Sequence, residues 1–136
     1  RIAKIKVQYV QYMPTNLEPG ILYVAKEFGA VAHLCACGCG RKVRTPLGPT
    51  EWSLTEGKNG PSLYPSIGNW QLPCQSHYFI RNGNVIWAGK WTVEQIEDGR
   101  LREASRRECY YQNRDKRNQK ILVKFWRWLK RFLNIQ

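Results

Sequence analysis

Three cysteines stand at alternate positions in the stretch HLCACGCGRKV: Cys35, Cys37 and Cys39, with Gly38 and Gly40 between and after them. Three thiols in five residues dictate that the chain around them bend about a common point. Residues two apart on a strand face the same side, so the thiols are expected to converge. The glycines allow the backbone to curl, because they accept conformations closed to other residues. The chain has five cysteines in all, adding Cys74 and Cys109. An odd number with three in one turn is a poor disulfide plan, and a reducing cytosol disfavours disulfides. A metal site fits better. Zinc takes four tetrahedral ligands from cysteine and histidine, and LPCQSHYF supplies Cys74 with His77 three residues on. The expected set is Cys35, Cys37, Cys39 and Cys74 around one structural Zn2+ per chain. His77 is an alternative to one of the clustered thiols, and a redox-inert buried cluster or a disulfide is the plain alternative to a metal. Cys109 receives no role.

At 136 residues the chain is long enough to bury a core of its own. Its apolar content of 43% favours folding over disorder. No apolar run approaches the roughly 20 residues of a spanning helix. The opening RIAKIKVQYV is charged and alternating, unlike a secretory leader, and begins on Arg1, so residues ahead of it are expected. A cytoplasmic location is the expectation. The net charge of +12 is uneven. Residues 100–136 hold 12 Lys and Arg against three acids, so 12 − 3 = +9 lies in the last quarter and 12 − 9 = +3 in the rest. Such an excess points to an acidic partner or surface.

The patterning predicts an α+β chain: a β-rich metal-binding body over 1–99, then a basic helical extension over 100–136 packed on it. IAKIKVQYVQYM alternates as a strand does. ILYVAKEFG and AVAHLC form a hairpin pair turning at Gly29, and EWSLTE is a short strand followed by a loop over GKNGPS. HYFIRNGNVIWAGKW is the plainest hairpin, with Asn82-Gly83 at its turn. Thr92 with Glu94 and Gln95 can open a helix over VEQIE. Asp98-Gly99 is expected to interrupt it before a second helix starts near residue 100.

The motifs CACGCG, PSIGNW and CQSHYFIRNGNVIW together resemble a small bacterial zinc-binding domain family, formerly of uncharacterised function. That family is encoded beside ubiquitin-like proteins and their activating and conjugating enzymes. The resemblance covers residues 17–91 and leaves out the terminal helix. It implies a peptidase or isopeptidase that processes or removes the ubiquitin-like protein. It also implies that Ser66 and His77 are the family's signature polar residues. A serine nucleophile needs a base in hydrogen-bond reach, and these two flank Cys74. Gly68 would leave unhindered N–H groups for an oxyanion. YPSIG is not the G-x-S-x-G elbow, and no acid is placed to orient His77. Glu18, Glu27, Glu51 and Glu56 all remain open for that place. On the residues alone, Ser66 ends a turn after Pro65 and His77 ligates metal or packs. His33, the other histidine, is a buried residue, a group behind the metal ligands, or a base. A catalytic zinc with a glutamate base ranks lower, because no H-E-x-x-H pattern occurs.

KILVKFWRWLKRFLNIQ places Ile121, Leu122, Phe125, Leu129, Phe132 and Leu133 on one helical face. Lys120, Lys124, Arg127, Lys130 and Arg131 take the other, with Trp126 and Trp128 flanking the seam. This basic amphipathic pattern suits an anionic membrane surface, a partner groove or nucleic acid. It is equally that of a terminal helix packed on the body or on a second subunit. Two functions follow. One is a zinc-stabilised peptidase acting on a ubiquitin-like protein, with Ser66 as nucleophile and His77 as base. The alternative is a non-catalytic zinc-binding adaptor that docks the ubiquitin-like protein, its conjugating enzymes or an acidic ligand.

Overall fold

The computed structural model describes residues 1–133. The chain is α+β, with two four-stranded sheets followed by one long helix. The first sheet runs in the order β1 (Lys6–Tyr9), β2 (Ile21–Ala25), β3 (Ala30–Leu34), β4 (Lys42–Arg44). β1 lies parallel to β2 and the other pairs are antiparallel. The second sheet is an antiparallel meander of β5 (Ser53–Gly57), β6 (Gly60–Gly68), β7 (His77–Arg81) and β8 (Asn84–Trp87). One apolar core joins the sheets: Leu22, Val24 and Val31 from the first pack with Leu63, Ile67, Tyr78 and Ile80 from the second. The segment ahead of β1 ties them further, with Ile5 N–H donating to Gly83 O at 2.8 Å and Val85 N–H to Ala3 O at 2.9 Å.

The two expected hairpins form. Gly29 turns the β2–β3 pair in the left-handed conformation (φ 60°), after a single 3-10 turn at Lys26–Phe28. In the β7–β8 hairpin Arg81 pairs with Asn84, and Asn82 (φ 49°) and Gly83 (φ 76°) are both left-handed. That is the geometry a two-residue turn needs to match strand twist. GKNGPS is shorter as a loop than its composition implies. Gly57 pairs with Gly60, so only Lys58 and Asn59 turn, and Gly60, Pro61 and Ser62 already belong to β6. Gly60 is required there, since a Cβ on it would lie 2.7 Å from Gly83 Cα. β4 is too short at three residues to register in the pattern.

The contacts divide the chain into two compact units, Arg1–Thr92 and Val93–Gln136. The second contains α1, a single helix over Val93–Phe132. The expected interruption at Asp98-Gly99 does not occur. One interior glycine costs about 1 kcal/mol against alanine, and the Glu, Arg and Leu around it are good helix formers. No residue of α1 is buried. Residues 134–136, which belong to the expected helical extension, lie outside the described residues. Among the described residues no helix is long and apolar enough to cross a membrane.

Candidate active site

β6 is where the sequence pattern and the sheet part company. Leu63 pairs with Ile80 and Ile67 with Tyr78. β6 therefore takes 67 − 63 = 4 steps where β7 takes 80 − 78 = 2. The extra length is a bulge, the usual place for a proline in a sheet interior. It holds Tyr64, Pro65 (after a cis peptide) and Ser66. Leu63 and Ile67 both reach the core on either side of it. Beyond the bulge Gly68 stands opposite His77. Alternation sends Ile67 and Tyr78 inward and leaves Ser66, Gly68 and His77 on the other face. The bulge thus re-aims Ser66 toward β7.

Ser66 and His77 meet there, with Ser66 Oγ 2.9 Å from His77 Nε2. The other ring nitrogen, Nδ1, lies 3.2 Å from the carbonyl oxygen of Gly89. A carbonyl only accepts, so Nδ1 carries the proton, Nε2 is the acceptor, and the Ser66 hydroxyl donates to it. His77 is only 6% exposed. Trp70 and Trp91 stack on one another at 5.5 Å and stand at 5.0 and 5.1 Å from its ring. Trp70 owes its position to Gly68. A Cβ at residue 68 would fall 2.6 Å from Trp70 Nε1 and 2.7 Å from Cε2. Gly68→Ala is accordingly expected to displace the indole and to lower stability by about 1–3 kcal/mol, as overpacking does. Denaturant titration reads this directly, and an unchanged midpoint would contradict the close packing.

The cysteine cluster takes one of its members, Cys74, from the β6–β7 connection. The ligand atoms of Cys35, Cys37, Cys39 and Cys74 all lie within 4.8 Å of one another. Individual Sγ–Sγ distances are 3.4 Å (Cys35–Cys37), 3.8 Å (Cys35–Cys74) and 3.9 Å (Cys39–Cys74). A tetrahedral zinc with bonds of about 2.3 Å separates its sulfurs by about 3.8 Å, so the thiols stand at coordination spacing. Of the two expected causes of convergence, the curl at the glycines operates and alternation on a strand does not. β3 ends at Leu34, and the three thiols ride a turn closed by Gly38 N–H to Cys35 O (3.1 Å) and Cys35 N–H to Arg41 O (2.8 Å). Gly38 and Gly40 take positive φ of 90° and 80° there.

The surroundings favour charge on sulfur. Cys39 N–H points at Cys37 Sγ (3.3 Å), Ser76 Oγ donates to Cys74 Sγ (3.1 Å), and Asn69 Nδ2 to Cys35 Sγ (3.5 Å). Burial nevertheless pushes the Cys35 thiol up to about 12. Four thiols this close ionise together only when a cation compensates them, which is what a bound metal does. His77 is outside this set, engaged by Ser66 and Gly89. Cys109 is exposed on α1 and also outside it. His33 is buried, its Nε2 2.7 Å from Tyr78 Oη, and desolvation lowers it to about 4, so it is neutral. Tyr78 Oη in turn accepts from Ala36 N–H at 3.4 Å, which places His33 behind the cysteine turn.

The pieces are linked through one segment. Asn69, Cys74 and Ser76 all lie between the end of β6 and the start of β7, so whatever fixes the thiols also fixes the strands carrying Ser66 and His77. Sequence reasoning missed Gly89, Trp70 and Trp91. A main-chain carbonyl has no side-chain signature, and nothing in the spacing of the two tryptophans shows that both meet the His77 ring. Of the glutamates considered for the orienting place, Glu56 accepts from the Tyr9 hydroxyl. No curated protein and no solved structure matches the chain. A family model does. That of the bacterial ubiquitination-like system serine protease (BubE) matches residues 9–88, which is 80 of 136 positions. The matched span holds the four clustered cysteines, Ser66 and His77. By that match, on a fold that brings a serine hydroxyl onto an oriented imidazole, the chain belongs to the BubE family of serine proteases from bacterial ubiquitination-like systems.

Proposed function

We propose that this protein hydrolyses an amide bond of a bacterial ubiquitin-like protein, with Ser66 as nucleophile and His77 as general base. The observation that carries the reading is the Ser66–His77–Gly89 relay, 2.9 and 3.2 Å, with the tautomer fixed at its far end. Ser66 Oγ attacks the scissile carbonyl carbon as its proton passes to His77 Nε2. The imidazolium is held by its Nδ1–H bond to the Gly89 carbonyl, which takes the orienting place an aspartate fills in other triads. Ile67 is paired toward β7 and Asn69 N–H donates to Ser76 O, so the N–H of Gly68 points to the opposite side of β6. There it can donate to the oxyanion. His77 then gives the proton to the leaving amine, and a water activated by the same ring splits the acyl-serine ester. The chemistry is the same for a precursor peptide bond and an isopeptide bond to a conjugated target.

The metal has a structural place in this reading. Four thiolates fill a tetrahedral zinc and leave no position for substrate, so Cys35, Cys37, Cys39 and Cys74 hold Zn2+ to pin the segment between Ser66 and His77. The ubiquitin-like protein is the partner, and its activating and conjugating enzymes make the conjugates on which an isopeptidase would act. The test is to incubate the protein with the ubiquitin-like precursor encoded beside it and measure intact masses. Two products whose masses sum to the precursor plus one water are expected. A precursor and a conjugate that both stay whole would leave the adaptor reading in its place.

A further inference from the structure

α1 changes character along its length. Residues 93–115 carry five bases against six acids, 5 − 6 = −1, and pair internally, as in Arg107–Glu103 at 2.8 Å. Residues 116–133 carry seven bases and no acid, +7. At 3.6 residues per turn, Ile121, Leu122, Phe125, Leu129 and Phe132 fall in one sector of about 100°. Lys116, Lys120, Lys124, Arg127, Lys130 and Arg131 fill the opposite side. Trp128 stands on one border between the two and Trp126 on the other. Both indoles are exposed, at 57% and 58%, as is Phe132 at 73%. The family match ends at residue 88, ahead of this segment.

We propose that residues 116–133 bind the surface of an anionic lipid bilayer, lying in the headgroup region and not crossing it. Three features select that occupant. The cations are unopposed, and an anionic leaflet supplies the complement. With its bordering tryptophans the apolar sector spans about 160°, wider than the narrow seam through which two helices of a coiled coil meet. It is also unlike a phosphate backbone, which would neutralise the cations and leave the aromatic face wet. Finally, tryptophans on both borders match the boundary between headgroups and acyl chains, where an indole keeps its body in oil and its N–H in water. The proposal is independent of the cleavage chemistry.

The test uses the full chain and sedimentation with vesicles of phosphatidylcholine alone or of phosphatidylcholine mixed with the anionic lipid phosphatidylglycerol. Binding to the anionic vesicles is expected at least tenfold tighter than to the neutral ones, and is expected to weaken steeply with salt. One variant alters each face: Lys120→Glu with Lys124→Glu and Arg127→Glu, and separately Phe125→Ser with Leu129→Ser. Each is expected to lower vesicle binding at least tenfold, while the circular dichroism of the helix is retained. Three results overturn the proposal. One is the absence of vesicle binding by the wild type. Another is tighter binding to duplex nucleic acid that survives Phe125→Ser with Leu129→Ser. The last is a dimer in solution that this pair of changes converts to monomer without affecting vesicle binding.

Discussion

Cys74→Ser and Cys37→Ser are each expected to unfold the body of this protein. A structural zinc contributes roughly 10–16 kcal/mol of apparent binding energy at neutral pH, and that energy is folding energy where the site does not pre-exist. A domain of this size has only about 5–15 kcal/mol in hand. Removing one of four thiolates would leave the cation under-coordinated and the buried Cys35 thiol without its compensation. The damage spreads because Cys74 lies in the only stretch between β6 and β7, so its release frees both strands of the Ser66–His77 pair. Elemental analysis should find about one zinc per chain in reduced, unchelated protein. A strong chelator should abolish the cooperative thermal transition that the metal-bound protein shows. Cys109→Ser, at an exposed position of α1, should leave metal content and melting unchanged. A protein that melts normally with Cys74 replaced, or that contains no metal, would refute the structural role given to the cluster.

Ser66→Ala and His77→Ala are expected to lower the cleavage rate by at least about a thousandfold each, and the double variant to be no worse than either. Residues that act as one unit lose the whole effect when either is removed. His77→Ala also opens space beneath Trp70 and Trp91, so the comparison is made at equal zinc content and on proteins whose melting is close to wild type. The orienting group makes a further distinction. Because a carbonyl takes that place, no carboxylate variant should mimic loss of the third member of a triad. Glu18→Gln and Glu56→Gln should therefore cleave at the wild-type rate. A large loss in either would mean that a side chain, and not Gly89, orients the ring.

Much of this site is written in residue types, and the remainder in geometry that residue types do not encode. CACGCG and Cys74 announce themselves because thiols have few other uses at that spacing, and Asn82-Gly83 fixes its hairpin because few dipeptides accept two left-handed residues. Ser66 is harder. PSLYPSIG has two prolines, which argue against a strand, yet it forms the longest one in the structure, because the second proline sits in a bulge where no ladder bond is lost. Alternate spacing of the thiols suggests a strand, whereas the glycines between and after them signal the turn that brings them together. Gly99 suggested a helix break because its cost is local, while the propensity of its neighbours is summed over forty residues. The glycine at 68 explains itself only once Trp70 is seen against it.

The most direct measurement of the central claim is covalent labelling by a fluorophosphonate, which reacts with a serine only when a neighbouring base raises its nucleophilicity. One adduct per chain is predicted, located on Ser66 by peptide mass spectrometry. It should be absent from Ser66→Ala and from a His77→Ala protein that retains its zinc. Full labelling of Ser66→Ala at another residue, or cleavage of the ubiquitin-like precursor by a wild-type protein that takes no label, would contradict it.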